Sequence, residues 1–428
     1  MSREMKDSGI PWIGEIPKDW EIIRTKNVFT QRKDIVGINS SSTQLLSLTT
    51  KGIKEVEIGS TSGKVPDSYD TYQLVKKDNI VMCLFDLDCS AVFSGLSPFE
   101  GMISPAYKVL TVQDGFTPKF YDYWFNYIFD GRKYMFLSKN IRYSLTYDEF
   151  AALGIVNPPL LEQKAIAEFL DRKCGEIDEL IAIQDRMIEE LKAYKQSVIN
   201  EAVTRGLNPD VALKDSGIEW IGEIPQHWEV KKVKYIVDSL SKGNGITKDD
   251  VSIDGDIPCV RYGEIYSKYN YSFKECFSVT KTELHKSPCY LYKGDILCAG
   301  TGEIVEEIGK NIVYLGEKPC LAGGDIIVIR HKHNPSFLNY ALGSNYAQTQ
   351  KSKGKAKLKV VHISATQIGN ILITLPPLSE QQEIANYLDT KCEEIDSLIA
   401  LKQTKIEQLK EYKKSLIYEY VTGKKSVI

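Results

Sequence analysis

Two stretches of this chain gather cations where no carboxylate offsets them. From Ile326 to Ser379 there is no Asp or Glu, while Arg330, Lys332, Lys351, Lys353, Lys355, Lys357 and Lys359 all fall inside. A shorter run from Gly131 to Tyr147 is also free of acids and carries Arg132, Lys133, Lys139 and Arg142. Lysine and arginine hold phosphate without regard to base sequence, and arginine can also pair bidentately with a guanine edge. The chemistry these residues suit is contact with duplex DNA. The candidate contacts are Arg132, Lys133, Lys139, Arg142 and Tyr143 in the first run and Lys351, Lys353, Lys355, Lys357 and Lys359 in the second, joined by Arg261 and Tyr262 from their turn context. A solvated loop would explain either run alone; its recurrence at a similar distance before each of two repeated blocks argues against that.

Covalent chemistry finds no comparable support. Asn157-Pro158-Pro159-Leu160 imitates the Asn-Pro-Pro-aromatic loop of amino-methyltransferases but lacks the aromatic, and its second copy, Leu375-Pro376-Pro377-Leu378, lacks the Asn. Gly300-Thr301-Gly302 is a fragment of a nucleotide loop, and Gly59 to Lys64 is one residue short of a phosphate-binding loop, with Val65 where Ser or Thr should follow. Asp86 and Asp88 have no partner cluster and read as a turn or strand end, and the five histidines form no metal or triad pattern. No catalytic residue and no metal site is expected.

The elements that must position the cationic runs are written twice. Lys6 to Ile10, Trp12 to Pro17 and Trp20-Glu21 return as Lys214 to Ile218, Trp220 to Pro225 and Trp228-Glu229, an offset of 208 residues. A longer block, Pro158 to Thr204, returns as Pro376 to Thr422 at offset 218 with 28 identities in 47 positions. Between the paired blocks lie two inserts of about 135 to 145 residues that hardly match, long enough to be domains. Two copies of a frame usually meet about a pseudo-two-fold axis, because matched surfaces pack self-complementarily.

Each long block predicts a helix. Leu170, Cys174, Ile177, Ile181, Gln184, Ile188, Leu191, Lys195, Val198 and Ala202 alternate steps of four and three, the stripe of a coiled-coil seam, and Leu388, Cys392, Ile395, Ile399, Lys402, Ile406, Leu409, Lys413, Leu416 and Tyr420 repeat it. The Pro-Pro pairs open these helices, and Gly206 and Gly423 close them. At about 1.5 Å per residue, roughly 40 residues make a rod of about 60 Å, and two such rods should lie antiparallel. The inserts read as short strands, Tyr72 to Val75, Asn79 to Met82, Tyr290 to Tyr292, Asp295 to Leu297 and Ile326 to Ile329, set around turns, with aromatic helices at Phe120 to Phe129 and Phe337 to Leu342.

Composition is consistent with this division. The 428 residues are 43% hydrophobic and 26% charged with a net charge of −3, so several cores can be buried and any DNA contact must come from local charge. Nine scattered cysteines without a C-x-x-C pair predict neither disulfides nor a zinc cluster, and Cys174 and Cys392 read as core residues. No apolar run reaches the length of a membrane span, so a cytoplasmic chain is expected.

Trp12 to Pro17 with Trp20, the Pro-Pro-Leu-x-Glu-Gln openings at Pro158 and Pro376, the Ile-Asp pairs at Ile177 and Ile395, and the Val-Thr endings at Val203 and Val421 resemble the frame of a type I restriction-modification specificity subunit. The resemblance covers the whole chain. It implies an α+β fold: two α/β target recognition domains separated by a pair of long antiparallel coiled-coil helices, as a pseudo-two-fold internal repeat. The expected boundaries are an N-terminal recognition domain at 1–157 with short block 5–22, a helix at 158–206, a second recognition domain at 207–375 with short block 213–230, and a helix at 376–428. It further implies a non-catalytic subunit for double-stranded DNA in which each insert reads half of a split site. Two methyltransferase subunits would dock on the repeated surfaces around Trp12, Trp20, Trp220 and Trp228, motor and nuclease subunits would join, and S-adenosylmethionine, ATP and Mg would belong to those partners.

Overall fold

The computed structural model of the chain describes residues 3–59, 66–138, 142–302, 305–354 and 361–427. Contacts group the chain into two compact units, Met1–Asp185 with Thr404–Ile428, and Arg186–Gln403. The division therefore runs through both long helices, Leu160–Arg205 and Leu378–Val421, instead of setting them apart as segments of their own.

In the first unit the short block forms a hairpin, Met5–Asp7 against Glu15–Pro17, and the next strand, Glu21–Arg24, pairs antiparallel with Gly154–Asn157, which leads into the long helix. Between them lie two four-stranded sheets. One runs in the order Gly52–Val56, Leu45–Thr49, Gly101–Ile103, Gln73–Val75; the other in the order Phe29–Arg32, Lys108–Val112, Ile80–Met82, Ser94–Leu96. Gln73–Val75 and Ile80–Met82 form as strands but belong to different sheets, because Asp78 takes a left-handed conformation (φ 66°) and turns the chain from one sheet to the other. The helix Pro118–Asp130 starts on a proline whose missing N–H is no loss in the first turn, and it buries Phe120, Tyr121, Trp124, Phe125 and Ile128. These rings pack with Trp20, Phe29 and Phe150 in one core that also takes in Leu170, Cys174 and Ile177 of the first long helix and Leu416, Ile417 and Val421 of the second.

The second unit repeats the plan with a larger sheet. Leu213–Asp215 pairs with Glu223–Pro225, and Glu229–Lys232 pairs with Leu372–Leu375. A five-stranded sheet runs Val237–Lys242, Ile326–His331, Ile296–Ala299, Asn311–Tyr314, Ser272–Phe273, and a four-stranded sheet runs Ser278–Thr280, Ile257–Val260, Cys320–Ala322, Tyr290–Leu291. Gly294 (φ 96°) makes the crossing between sheets that Asp78 makes in the first unit. The helix Pro335–Gly343 buries Phe337, Leu338, Tyr340 and Leu342 against the sheet and the long helices.

The expected seam is buried along its length. Leu170, Cys174, Ile177, Ile188, Leu388, Cys392, Ile395 and Ile406 are in the core, and Ile181, Leu191, Ile399 and Leu409 are half-buried. Within the first unit Phe169 packs against Tyr420 with ring centroids 4.5 Å apart, and Asp178 binds Lys413, so rising numbers on one helix meet falling numbers on the other. The second unit shows the same antiparallel sense, Met187 meeting Lys402 and Lys195 meeting Asp396. The glycines that end the helices are required on two counts. Gly206 and Gly423 have φ of +75° and +70°, and a Cβ would stand 3.2 Å from the Trp228 ring at the first and 2.4 Å from Pro17 at the second.

Candidate nucleic-acid interface

The frame is fixed by one pair of side chains in each unit, the Glu-Gln that follows Pro-Pro-Leu-x. Glu162 Oε2 accepts from the Trp20 indole N–H at 2.9 Å, and Arg3 clamps the same carboxylate while also binding Asp19. In the second unit Glu380 Oε2 accepts from Trp228 at 2.9 Å and its other oxygen meets His227. Gln163 accepts from the backbone N–H of Thr117 and donates to the Pro158 carbonyl; Gln381 accepts from Asn334 N–H and donates to the Pro376 carbonyl. Each Glu thus ties a short block to a long helix, and each Gln ties the insert's aromatic helix to the same turn. The Tyr123 and Tyr340 hydroxyls complete the match by donating to Asp171 and Asp389, and burial beside those carboxylates pushes both phenols far up.

These bonds correct one expectation. Trp20 and Trp228 are fully buried, their indoles used up inside the frame, so they brace the short blocks and offer no ring to a partner. Trp12 is half-buried against Trp124, and Trp220 alone of the four is exposed. Asn157 of the Asn-Pro-Pro sequence accepts from Tyr121 and Gln163, a structural role.

In the first unit the acid-free run leaves the aromatic helix through Gly131 and folds back on itself. Arg132 is exposed in a left-handed conformation (φ 50°), Lys133 is half-buried, and a 3₁₀ turn follows at Lys133–Phe136. Arg142 is exposed and meets Asp86 Oδ2 at 3.2 Å, while Tyr143 (φ 52°) rests edge-on against buried Tyr134. Asp86 is thereby a turn residue, with its N–H bonded to Ser144. The structure adds two residues that charge-counting missed: Met135 and Phe136 stand out of the turn between the two arginines, Phe136 at 70% exposure. An exposed ring in a segment that also carries exposed arginines can stack on a base while the cations hold phosphate. The signal lay in the run itself, where aromatics alternate with the basic residues. Lys139 lies outside the described residues.

In the second unit the candidates separate. Arg261 starts the helix Tyr262–Ser267, and its Nε and Nη2 both donate to Glu264 Oε1, at 3.0 and 2.9 Å. Glu264 is buried and also accepts from Ser278, so the guanidinium is braced at the surface of the fold. Tyr262 is exposed on a cleft of about 520 Å³ lined by Lys242, Gly243, Gly245, Thr247, Gly324 and Asp325. Lys353 is exposed at the end of the helix Asn345–Ser352. Lys351 is a correction: it is buried, its Nζ donating to the Gly309 carbonyl and Asn311 Oδ1, so it is no exposed cation of the insert's surface. Arg330 is half-buried and already engaged, held by Asp295, the Tyr290 carbonyl and the Tyr292 ring. Lys355, Lys357 and Lys359 lie outside the described residues. Among the described residues no group of His, Cys, Asp and Glu is placed to hold a metal ion.

Residues 225–411 match the family model described as type I restriction modification DNA specificity domain. Over that stretch the chain is similar to a type I DNA specificity domain. Among curated proteins it is 30% identical to the Type I restriction enzyme MjaVIII specificity subunit of Methanocaldococcus jannaschii over 287 residues, 64% of this chain and 63% of that protein, so it spans less than two thirds of this relative. A putative type I restriction enzyme MjaX specificity subunit of the same organism is 24% identical over 438 residues, covering 96% of this chain and 95% of the relative. A solved structure from work on complex assembly and conformational transition of the type I R-M system superposes with a TM-score of 0.69 at 14% identity, covering 95% of this chain and 99% of that one, which shows a shared fold. The specificity-subunit resemblance read from the doubled frame therefore stands. The specificity-domain match takes in Arg261, Tyr262 and Lys353 and ends within the second long helix. Among the described residues no helix is long and apolar enough to cross a membrane.

Proposed function

We propose that this chain is the DNA-reading subunit of a type I restriction-modification complex and leaves the chemistry to partners. The observation that carries the reading is the contrast between a frame closed by matching Glu–Trp and Gln–carbonyl bonds in each unit and inserts whose sequences hardly match. Two unlike readers on a like frame suit an asymmetric, two-part site. In the first insert Arg132 and Arg142 hold phosphate around Phe136; in the second Arg261, braced by Glu264, offers a guanidinium edge to a base, and Lys353 holds backbone. Two methyltransferase subunits dock on the repeated frame and bring S-adenosylmethionine; motor and nuclease subunits bring ATP and Mg. The paired helices, 46 and 44 residues, set the length of the unread gap.

Removing seven residues from each long helix tests this. It shortens the spacer by about 10 Å, roughly three base pairs, and should leave both half-sites unchanged. A recognised gap that keeps its length in the deletion variant would overturn the spacer role.

A further inference from the structure

A cavity of about 540 Å³ opens in the second unit where its insert meets the long helices, and its wall is basic: Lys192, Lys195, Lys310 and Lys351 line it. Two of these cations are bonded only to neutral acceptors. Lys351 is buried, and its Nζ donates at 2.8 Å to the Gly309 carbonyl and at 2.9 Å to Asn311 Oδ1, both neutral; Asn311 is held in that orientation by donating to Asn339. Lys310 is half-buried and donates only weakly, at 3.3 and 3.4 Å, to the carbonyls of Tyr266 and Tyr269. Among the described residues no carboxylate is bonded to either. Of the two acids on the wall, Asp396 is bound to Lys195, and Glu307, exposed at the lip, favours the charged form of Lys310 without bonding it, which leaves Lys351 with no anion of its own. An ammonium withdrawn from water without an anion is costly to fold around. Burial accordingly lowers both lysines, Lys351 to about 8.

The corresponding corner of the first unit is built differently. There Tyr127 packs against Tyr418 with ring centroids 5.5 Å apart, and Asp130 and Glu411 line the same hollow as Lys133 and Lys414. The basic cavity therefore belongs to the second insert and is no requirement of the repeated frame. We propose that it is a binding site for a phosphate group, as the free ion or a phosphate ester, held between Lys351 and Lys310 with Lys195 at the rim. An anion there supplies the countercharge that neutral carbonyls do not.

Calorimetric titration of the full chain with inorganic phosphate, at constant ionic strength and with chloride as the control, should show one saturable site. Lys351→Met and Lys310→Gln should each weaken it by about tenfold or more, the loss of a charged hydrogen bond. A gel shift of the same variants on mixed-sequence duplex DNA distinguishes the source: if the DNA backbone supplies the phosphate, both variants lose duplex affinity and inorganic phosphate competes; if free phosphate is the ligand, duplex affinity is unchanged. Lys310, half-buried, serves if the Lys351 variant does not fold. Wild-type chain that binds neither ligand in a manner dependent on these two lysines would overturn the site, and that result would leave the half-site reading untouched.

Discussion

Lys195 Nζ lies 2.5 Å from Asp396 Oδ1, and Lys413 Nζ lies 2.7 Å from Asp178 Oδ2. Asp178 and Asp396 are equivalent positions of the repeat, as are Lys195 and Lys413, each pair 218 residues apart. Each copy of the long block therefore gives its lysine to the other copy's aspartate, which is how an isologous contact is built. The environments differ. Lys195 is 10% exposed and lies 4.5 Å from the centre of the Tyr271 ring, whereas Lys413 pairs with an Asp178 that is 58% exposed.

That difference predicts unequal energies for one bond. In urea denaturation, double-mutant cycles with Lys195→Ala and Asp396→Ala should give a coupling of about 1–2 kcal/mol, against about 0.2–1 kcal/mol for Lys413→Ala and Asp178→Ala. Equal couplings would show that burial beside Tyr271 adds nothing.

A second prediction concerns acid. Burial, with His333 stacked alongside, lowers His331 to about 4, so the folded second unit prefers the neutral ring. A depressed histidine contributes stability that is complete above its ordinary value near 6.5 and is lost as pH falls toward about 4. Thermal melts between pH 7.5 and 4.5 should lose less stability on acidification in His331→Gln than in the wild type. Curves that stay parallel would assign the acid sensitivity elsewhere, His333 and the carboxylates included.

A third prediction separates holding from stacking in the first insert. Replacing Arg132 and Arg142 with alanine should weaken duplex binding on all sequences and reduce the slope of log K against log salt by about 1 to 2. Phe136→Ala should weaken binding by about 1–3 kcal/mol with the slope unchanged. Filter binding from 50 to 200 mM salt reads both. An unchanged affinity in both variants would move the interface off this turn.

The frame was legible because repetition exposes it: the Glu-Gln after Pro-Pro, the capping glycines and the seven-residue stripe each appear twice, and each does the same work twice. The strand crossings were harder to read, since Lys76-Lys77-Asp78 and Lys293-Gly294-Asp295 look like hairpin turns although the flanking strands join different sheets. Charge-counting failed where burial decided. Lys351 sits in an acid-free run yet points inward, because the helix Asn345–Ser352 carries Tyr346, Ala347 and Lys351 on one buried face. Trp20 and Trp228 misled for the opposite reason: a repeated aromatic suggests a shared surface, and here it is a shared interior.

On the proposed reading, two unlike inserts on one frame each read half of a divided DNA site. The decisive measurement is a map of methylated bases in the genome of a host that carries this chain with the methyltransferase subunits proposed to dock on it, repeated after the second insert is exchanged for that of a relative. Divided reading requires a two-part motif with a constant gap, of which only one half changes on exchange. An unbroken motif, or an exchange that alters both halves or neither, would contradict it.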